Sequence, residues 1–352
     1  MSSLGDQAGA KRGEANNEPA MSMGERIARN AGSDRRAACI FAARELSTAA
    51  RTGDESLAAE MLAMALAHPV GSLRLARQTA LEHAFANAAS AGSLGVLKMI
   101  AEHVDPKAKN SLALRAAAKN GRLDCAQFLV VRSGPASEIT MALAAAAGAG
   151  HLDCVRALLP HSQAELEHSQ ALTVAAKGGW AECVKALLEE SRPSDELCQA
   201  IAEAACSGHV DCLGLIEPAA SEGQRMEALK HAAGSGHLEA ALLLRQRHME
   251  RGGRQRPLNE ALCLALAEAA RQGRVECVQG LLPFFRPPKG WFSLGQLSAE
   301  IREGAQRGGE HSGRQESRLL SAGAIDAFVE KKELQAMSTE PQGPPKASAP
   351  RL

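Results

Sequence analysis

Residues 172–188 read LTVAAKGGWAECVKALL, and the same pattern recurs along the middle of the chain. Its pivot is a glycine, and equivalent glycines stand at Gly92, Gly121, Gly150, Gly179, Gly208, Gly236 and Gly273, at intervals of 29, 29, 29, 29, 28 and 37 residues. From Gly121 onward a Leu or Ile lies seven residues before the glycine, paired alanines lie just before it, and an apolar helical run follows. A fixed period of this size marks a stack of small supersecondary units, each unable to bury its apolar face alone. The expected fold class is therefore an all-α, helical-hairpin solenoid.

Within one unit the reading is local. Met141–Gly148 reads as a first helix, Gly150 as the turn and Leu152–Leu159 as a second helix. Leu152, Val155, Leu158 and Leu159 recur at spacings of three and four, which makes one apolar stripe. A residue just past a helix end commonly takes the left-handed conformation, which costs glycine nothing. The residue after the glycine is His at 151, 209 and 237, read as stabilising the turn. Three residues after the glycine comes an acid: Asp124, Asp153, Glu182, Asp211, Glu239 or Glu276. Negative charge in a first helical turn is favoured by ~0.3–1 kcal/mol when exposed, so these acids have a structural reason and are not assigned to catalysis.

Composition excludes several function classes. The 352 residues carry 40 basic and 40 acidic side chains, a neutral balance without the electrostatic footprint of a general nucleic-acid binder. No apolar run is long enough to span a bilayer, and the N-terminus has no apolar segment of signal-peptide type. Of nine cysteines, Cys125, Cys154, Cys183, Cys212 and Cys277 fall four residues after a repeat glycine, where other units hold Val96 and Ala240. That slot is a small apolar packing position, and a spacing of one repeat is wrong for a zinc cage. Thiols used this way fit a reducing compartment. The three follower histidines are roughly 10 Å or more apart, the width of a helix, too far to share a metal. Phosphate loops, H-E-x-x-H and nucleophile elbows are absent from the sequence. No cofactor, metal or catalytic residue is assigned, and the chain is not expected to be an enzyme.

Five segments follow: a disordered arm over 1–36, a degenerate capping repeat over 37–77, the array over 78–282, a C-terminal cap and extension over 283–337, and a disordered tail over 338–352. The stretch LSTAARTGDESLAAEMLAMAL (46–66) looks like a worn repeat pivoting on Gly53. The long last interval holds an insertion, RQRHMERGGRQRP (245–257), expected to be a solvated basic loop made flexible by Gly252 and Gly253. The stretch PFFRPPKGWF (283–292) holds four of the nine aromatic residues, expected to cover the open end of the last repeat. A further helix is expected at about 319–336.

The motif L-x-x-A-A-x-x-G-H-L-D-C-V-x-A-L-L, clearest in residues 143–159 and 201–216, resembles the ankyrin repeat. The opening Thr-Pro-Leu-His of that family is reduced to its Leu, and the unit is about four residues shorter than the usual ~33, which implies shortened fingers between repeats. The resemblance implies a monomeric protein–protein interaction module that binds a partner protein through the concave face made by the first helices and loops. The residues just before each glycine vary, and Trp180 replaces His in the follower slot. The partner-binding candidates are therefore Lys119, Asn120, Lys177, Trp180, Arg271 and Gln272, since Trp and Arg dominate binding hot spots. An excess of Arg over Lys and a polar N-terminus point to a bacterial effector, secreted into a host cell and acting on a host protein. The alternatives are a cytoplasmic scaffold in its own cell and an adaptor whose terminal segment recruits an enzyme.

Overall fold

The computed structural model describes Glu25 and residues 35–67, 74–104, 106–132, 136–162, 168–190, 197–286, 294–307 and 312–339. Every regular element among them is helical, and packing divides the chain into two units, residues 1–117 and 118–352. The arm read over residues 1–36 lies outside the described residues except for Glu25, Arg35 and Arg36; so does the tail from residue 340.

In the first unit, α1 (Arg35–Thr52) and α2 (Glu55–Leu66) turn about Gly53. Helices α3 (Arg74–Ala91) and α4 (Leu94–Ala101) turn about Gly92, and α5 (Pro106–Lys119) follows. Leu46, Ala49 and Ala50 of α1 are fully buried, as are Met61 of α2 and Ala84 and Ala88 of α3. Asp54 caps α2 by accepting from the Leu57 N–H at 3.0 Å. That bond and the Ser56 hydroxyl hold its carboxyl below the usual carboxylate range.

The second unit begins with α6 (Leu123–Val130) and continues through five hairpins. They are α7 (Ala136–Ala149) with α8 (Leu152–Leu158), α9 (His168–Gly178) with α10 (Ala181–Glu190), α11 (Leu197–Ser207) with α12 (Val210–Ile216), α13 (Glu222–Ser235) with α14 (Leu238–Glu250), and α15 (Gln255–Arg271) with α16 (Val275–Leu281). First helices pack on first helices, and second on second, in two layers. Two further helices, α17 (Leu294–Arg307) and α18 (Ser312–Thr339), pack on each other and against α15 and α16.

Each turn uses the paired alanines. At Gly150, φ is +80°, the His151 N–H donates to Ala146 O at 3.0 Å, and the Gly150 N–H donates to Ala147 O at 3.2 Å. These are the two bonds of a Schellman ending, and they recur at Gly179, Gly208, Gly236 and Gly273. The alanine side chains face inward and are fully buried, beside the buried Leu143, Leu172, Ile201, Leu229 and Leu266. So small a stripe lets neighbouring first helices approach closely. Between α12 and α13 only the short turn Glu217–Ala219, Ala220 and Ser221 intervene, so the finger there is shortened as the repeat length implies.

The insertion is not a solvated loop. Arg245–Glu250 prolong α14, Gln255 opens α15, and only Arg251–Arg254 lie between the helices. His248 is buried, its Nε2 lies 3.0 Å from Arg254 O, and a Cβ on Gly253 would collide with its ring at 2.3 Å. Four of its arginines make contacts within the chain, although only Arg245 is not exposed. Arg245 lies over the Phe284 ring at 3.6 Å, Arg247 pairs with Glu250, and Arg256 pairs with Glu260. Arg251 reaches Glu217 at 3.1 Å, and Arg225 approaches the same carboxylate at 3.4 Å. Glu217 occupies the slot held by Leu159 and Leu282 in other repeats and is only 1% exposed. Of the aromatic run, Phe285 is buried and Phe284 half-buried; Trp291 and Phe292 lie outside the described residues.

Glu217→Ala strands the part-buried Arg225 without its counter-charge and is expected to cost about 3 kcal/mol in denaturant unfolding. Arg251→Ala, at a half-exposed partner, should cost far less. A second prediction concerns Cys125, Cys154, Cys183, Cys212 and Cys277, which are all buried. Desolvation pushes their thiols up, to about 11 in Cys212 and Cys277. The folded state therefore holds these protons more tightly than the unfolded chain. That contribution is complete below the ordinary thiol range, near pH 9, and is lost as pH rises toward 11. A variant with Val or Ala at all five positions should lose less stability between pH 8 and pH 11 than the parent, measured by urea midpoints.

Candidate functional site

In every first helix of the five hairpins, the residues nine, five and two before the turn glycine point away from the core. They are Met141, Ala145 and Gly148 in α7; Gln170, Val174 and Lys177 in α9; and Gln199, Glu203 and Cys206 in α11. The same positions hold Glu227, His231 and Gly234 in α13, and Leu264, Glu268 and Arg271 in α15. The chemistry changes along this face. Over α7 and the body of α9 it is uncharged. From Lys177 onward it carries charge: Lys177 Nζ pairs with Glu203 at 3.3 Å, and Glu227 lies 3.4 Å from His231 Nε2. A cleft of about 450 Å³ opens at that polar end, with Gly234 in its floor and His231, Glu268 and Arg274 on its walls.

A ladder of side chains joins the turns at the edge of this face. The follower residue of one repeat lies on the glycine of the repeat before it. A Cβ on Gly121 would meet His151 at 2.6 Å, one on Gly150 would meet Trp180 at 2.5 Å, and one on Gly179 would meet His209 at 2.7 Å. His237 covers Gly208 and Arg274 covers Gly236 in the same way. Several followers also bond to the carbonyl two residues before that glycine. Trp180 Nε1–H donates to Gly148 O at 2.9 Å, His209 Nε2 lies 3.0 Å from Lys177 O, and Arg274 Nε–H donates to Gly234 O at 3.3 Å. The histidine bond requires the proton on Nε2.

Trp180 is thus held between repeats. Gly178 makes the space: a Cβ on it would meet the indole at 2.5 Å. Its N–H is satisfied, yet the residue is 43% exposed, so carbon makes up most of what it shows to solvent.

The six residues singled out in the sequence do not form one cluster. Lys177 and Trp180 share a turn in the middle of the second unit. Lys119 and Asn120 are exposed at the turn that His151 covers. Arg271, which is exposed, and Gln272 lie at the other end, beside α18: Arg314 donates to Gln272 Oε1 at 2.6 Å, and the Arg318 guanidinium donates to the backbone Arg271 O. The sequence reading passed over Met141, Ala145, Val174 and Glu203, which lie on the same face. The sequence signal beside them was the unusual Trp180 after the glycine pair Gly178 and Gly179. Among the described residues no three His, Cys, Asp or Glu side chains are grouped to hold a metal ion, and no helix is long and apolar enough to cross a membrane.

A family model described as ankyrin repeats, three copies, matches residues 117–194 and 141–220. Residues 117–220 carry ankyrin repeats. Among solved structures, the human ASB11 ankyrin repeat domain is similar at 22% identity, over 59% of this chain and 96% of that one, with a TM-score of 0.43. No curated protein matches the chain significantly. Ankyrin repeats are generally protein–protein interaction modules, and their shared turn glycine here serves both the backbone and the neighbouring repeat.

That double duty is testable. Gly150→Ala must place a side chain at φ +80° and against the Trp180 ring, and is expected to cost more than the ~1–2 kcal/mol of left-handed strain alone. Gly214→Ala, within α12 with nothing inside 4 Å of the new Cβ, should instead stabilise by roughly 0.5–1 kcal/mol. Thermal unfolding of the two variants reads the contrast.

Proposed function

We propose that the protein is a protein-binding module that grips its partner through the first-helix face of its ankyrin repeats, centred on α7 and α9. The observation that carries this reading is an uncharged strip, Met141, Ala145 and Val174, running up to the exposed edge of a locked Trp180. An aromatic ring already fixed by stacking and a hydrogen bond gives up little conformational freedom on binding. Met141, at the end of the strip away from Trp180, is 51% exposed. Lys177 and Glu203 bound the strip with a charge pair, which supplies the polar rim that such interfaces carry. Lys119 and Asn120 extend the surface on one side; Arg271 and Gln272 belong to it where α18 leaves them accessible. No chemistry of the chain's own is assigned.

The finer reading is a bacterial effector that engages a host protein. It is supported by the polar N-terminal sequence and the Arg bias alone. A translocation reporter fused to the full chain should lose its signal on deletion of residues 2–35; an unchanged signal, or none from either form, returns the protein to a scaffold in its own cell.

For the binding face itself, Met141→Glu and Lys177→Glu are expected to abolish affinity capture of the partner from lysate, at unchanged melting temperature. Capture that survives both charge changes removes the site from this face.

A further inference from the structure

We propose that the turn of the last repeat carries an anion-binding subsite, built from Arg271, Arg274, Arg314 and Arg318, that takes the carboxylates of an acidic peptide segment in a partner protein. Two elements bring these arginines together: the α15–α16 turn and α18. Arg318 donates to the backbone Arg271 O, and Arg314 donates to Gln272 Oε1 at 2.6 Å. Arg274 turns back and donates its Nε–H to Gly234 O at 3.3 Å. Arg314 and Arg318 are four residues apart and share one side of α18, whereas the exposed Glu316 between them points elsewhere. Nearby arginines are matched by acids: Arg225 and Arg251 by Glu217, Arg256 by Glu260, and Arg302 by Asp326. Arg271, Arg274 and Arg314 pair with no acid among the described residues.

Two openings flank the cluster. The cleft of about 450 Å³ has Arg274, Gln272 and Ser235 on its walls, and a second, of about 230 Å³, is lined by Arg271, Arg318, Glu300 and Ile301. Each opening therefore holds a guanidinium, whose planar fork offers a carboxylate two parallel N–H donors. Arg274 is anchored through Nε, and its terminal nitrogens have no hydrogen-bond partner among the described residues. The walls also carry acceptors, Glu268 in the first opening and Glu300 in the second. A peptide supplies N–H groups to them, and a phosphate backbone does not. Neither opening is lined by an aromatic ring on which a base could stack, and the chain carries no net charge, so nucleic acid is the poorer fit. The subsite stands on this geometry alone; only its membership of one interface with Met141 and Trp180 rests on the binding role proposed above.

Fluorescence anisotropy on the full chain tests the subsite, with a dye-labelled peptide of alternating Glu and Gly as the probe and its Lys–Gly counterpart as the control. The Glu peptide should bind saturably and weaken as salt is raised; the Lys peptide should not bind. Arg271→Glu, whose exposed side chain makes no bond within the described residues, should weaken the Glu peptide about tenfold or more, the scale of one charge-assisted hydrogen bond. Arg271→Gln removes the charge without reversing it and should give a smaller loss in the same direction. Arg156→Glu makes the same change in net charge at an exposed site on α8 and should leave binding as it was. No partner from a lysate enters this assay, so its failure is read separately from a failure of capture by the α7–α9 face. The proposal is overturned if the Glu peptide does not bind, if the Lys peptide binds equally, if Arg156→Glu weakens binding as much as Arg271→Glu, or if single-stranded DNA displaces the peptide at equal charge concentration.

Discussion

Everything in the second unit depends on a glycine without a Cβ at each turn. The left-handed backbone alone favours glycine, but Asn or Asp can adopt that conformation at modest cost. At Gly121, Gly150, Gly179 and Gly208 the neighbour also excludes a side chain: the next repeat's His or Trp ring occupies the space where a Cβ would be. The same residue that ends one helix therefore seats the following repeat. Turn formation and repeat stacking are one event, which ties the nearest-neighbour coupling of a solenoid to a single position per repeat.

That coupling explains how a core so poor in large side chains stays specific. Alanine pairs supply the turn carbonyls and let first helices approach, so register is set by backbone geometry as much as by side-chain volume. The exception lies where the repeat length changes. Glu217 stands in a leucine slot, and an eight-residue lengthening of the period brings Arg251 back to neutralise it, together with Arg225. A buried carboxylate with neither arginine beside it would be costly, and the acid sits where Arg225 and the insertion's Arg251 converge.

Much of this architecture was legible in the sequence because it is local. Gly150, its alanine pair, the Cys154 slot and the Asp153 helix start all lie within a few residues of one another, and repetition averaged out the noise. The insertion was misread for a physical reason: its charge suggested solvation, whereas Arg, Gln, Met and Glu are good helix formers and extend α14. Pairings across 34 residues, such as Glu217 with Arg251, leave no mark in a repeat pattern. The same holds for Arg318 on the Arg271 carbonyl, 47 residues apart. Trp180 stood out by type, but its setting came only with Gly148 and Gly178 beside it.

Packing and recognition are not rival explanations for that tryptophan. In the follower slot a histidine already suffices to cover a glycine and reach a carbonyl, as His209 does over Gly179. A larger ring there needs one further glycine, at 178, which weakens the end of a helix. The turn itself gains no bond that histidine does not make. What the indole adds is carbon surface at the edge of the one stretch of the first-helix face that bears no charge, held rigid by the bond that satisfies its N–H. Rigid apolar area beside a charged rim is what a binding surface requires and what a turn does not.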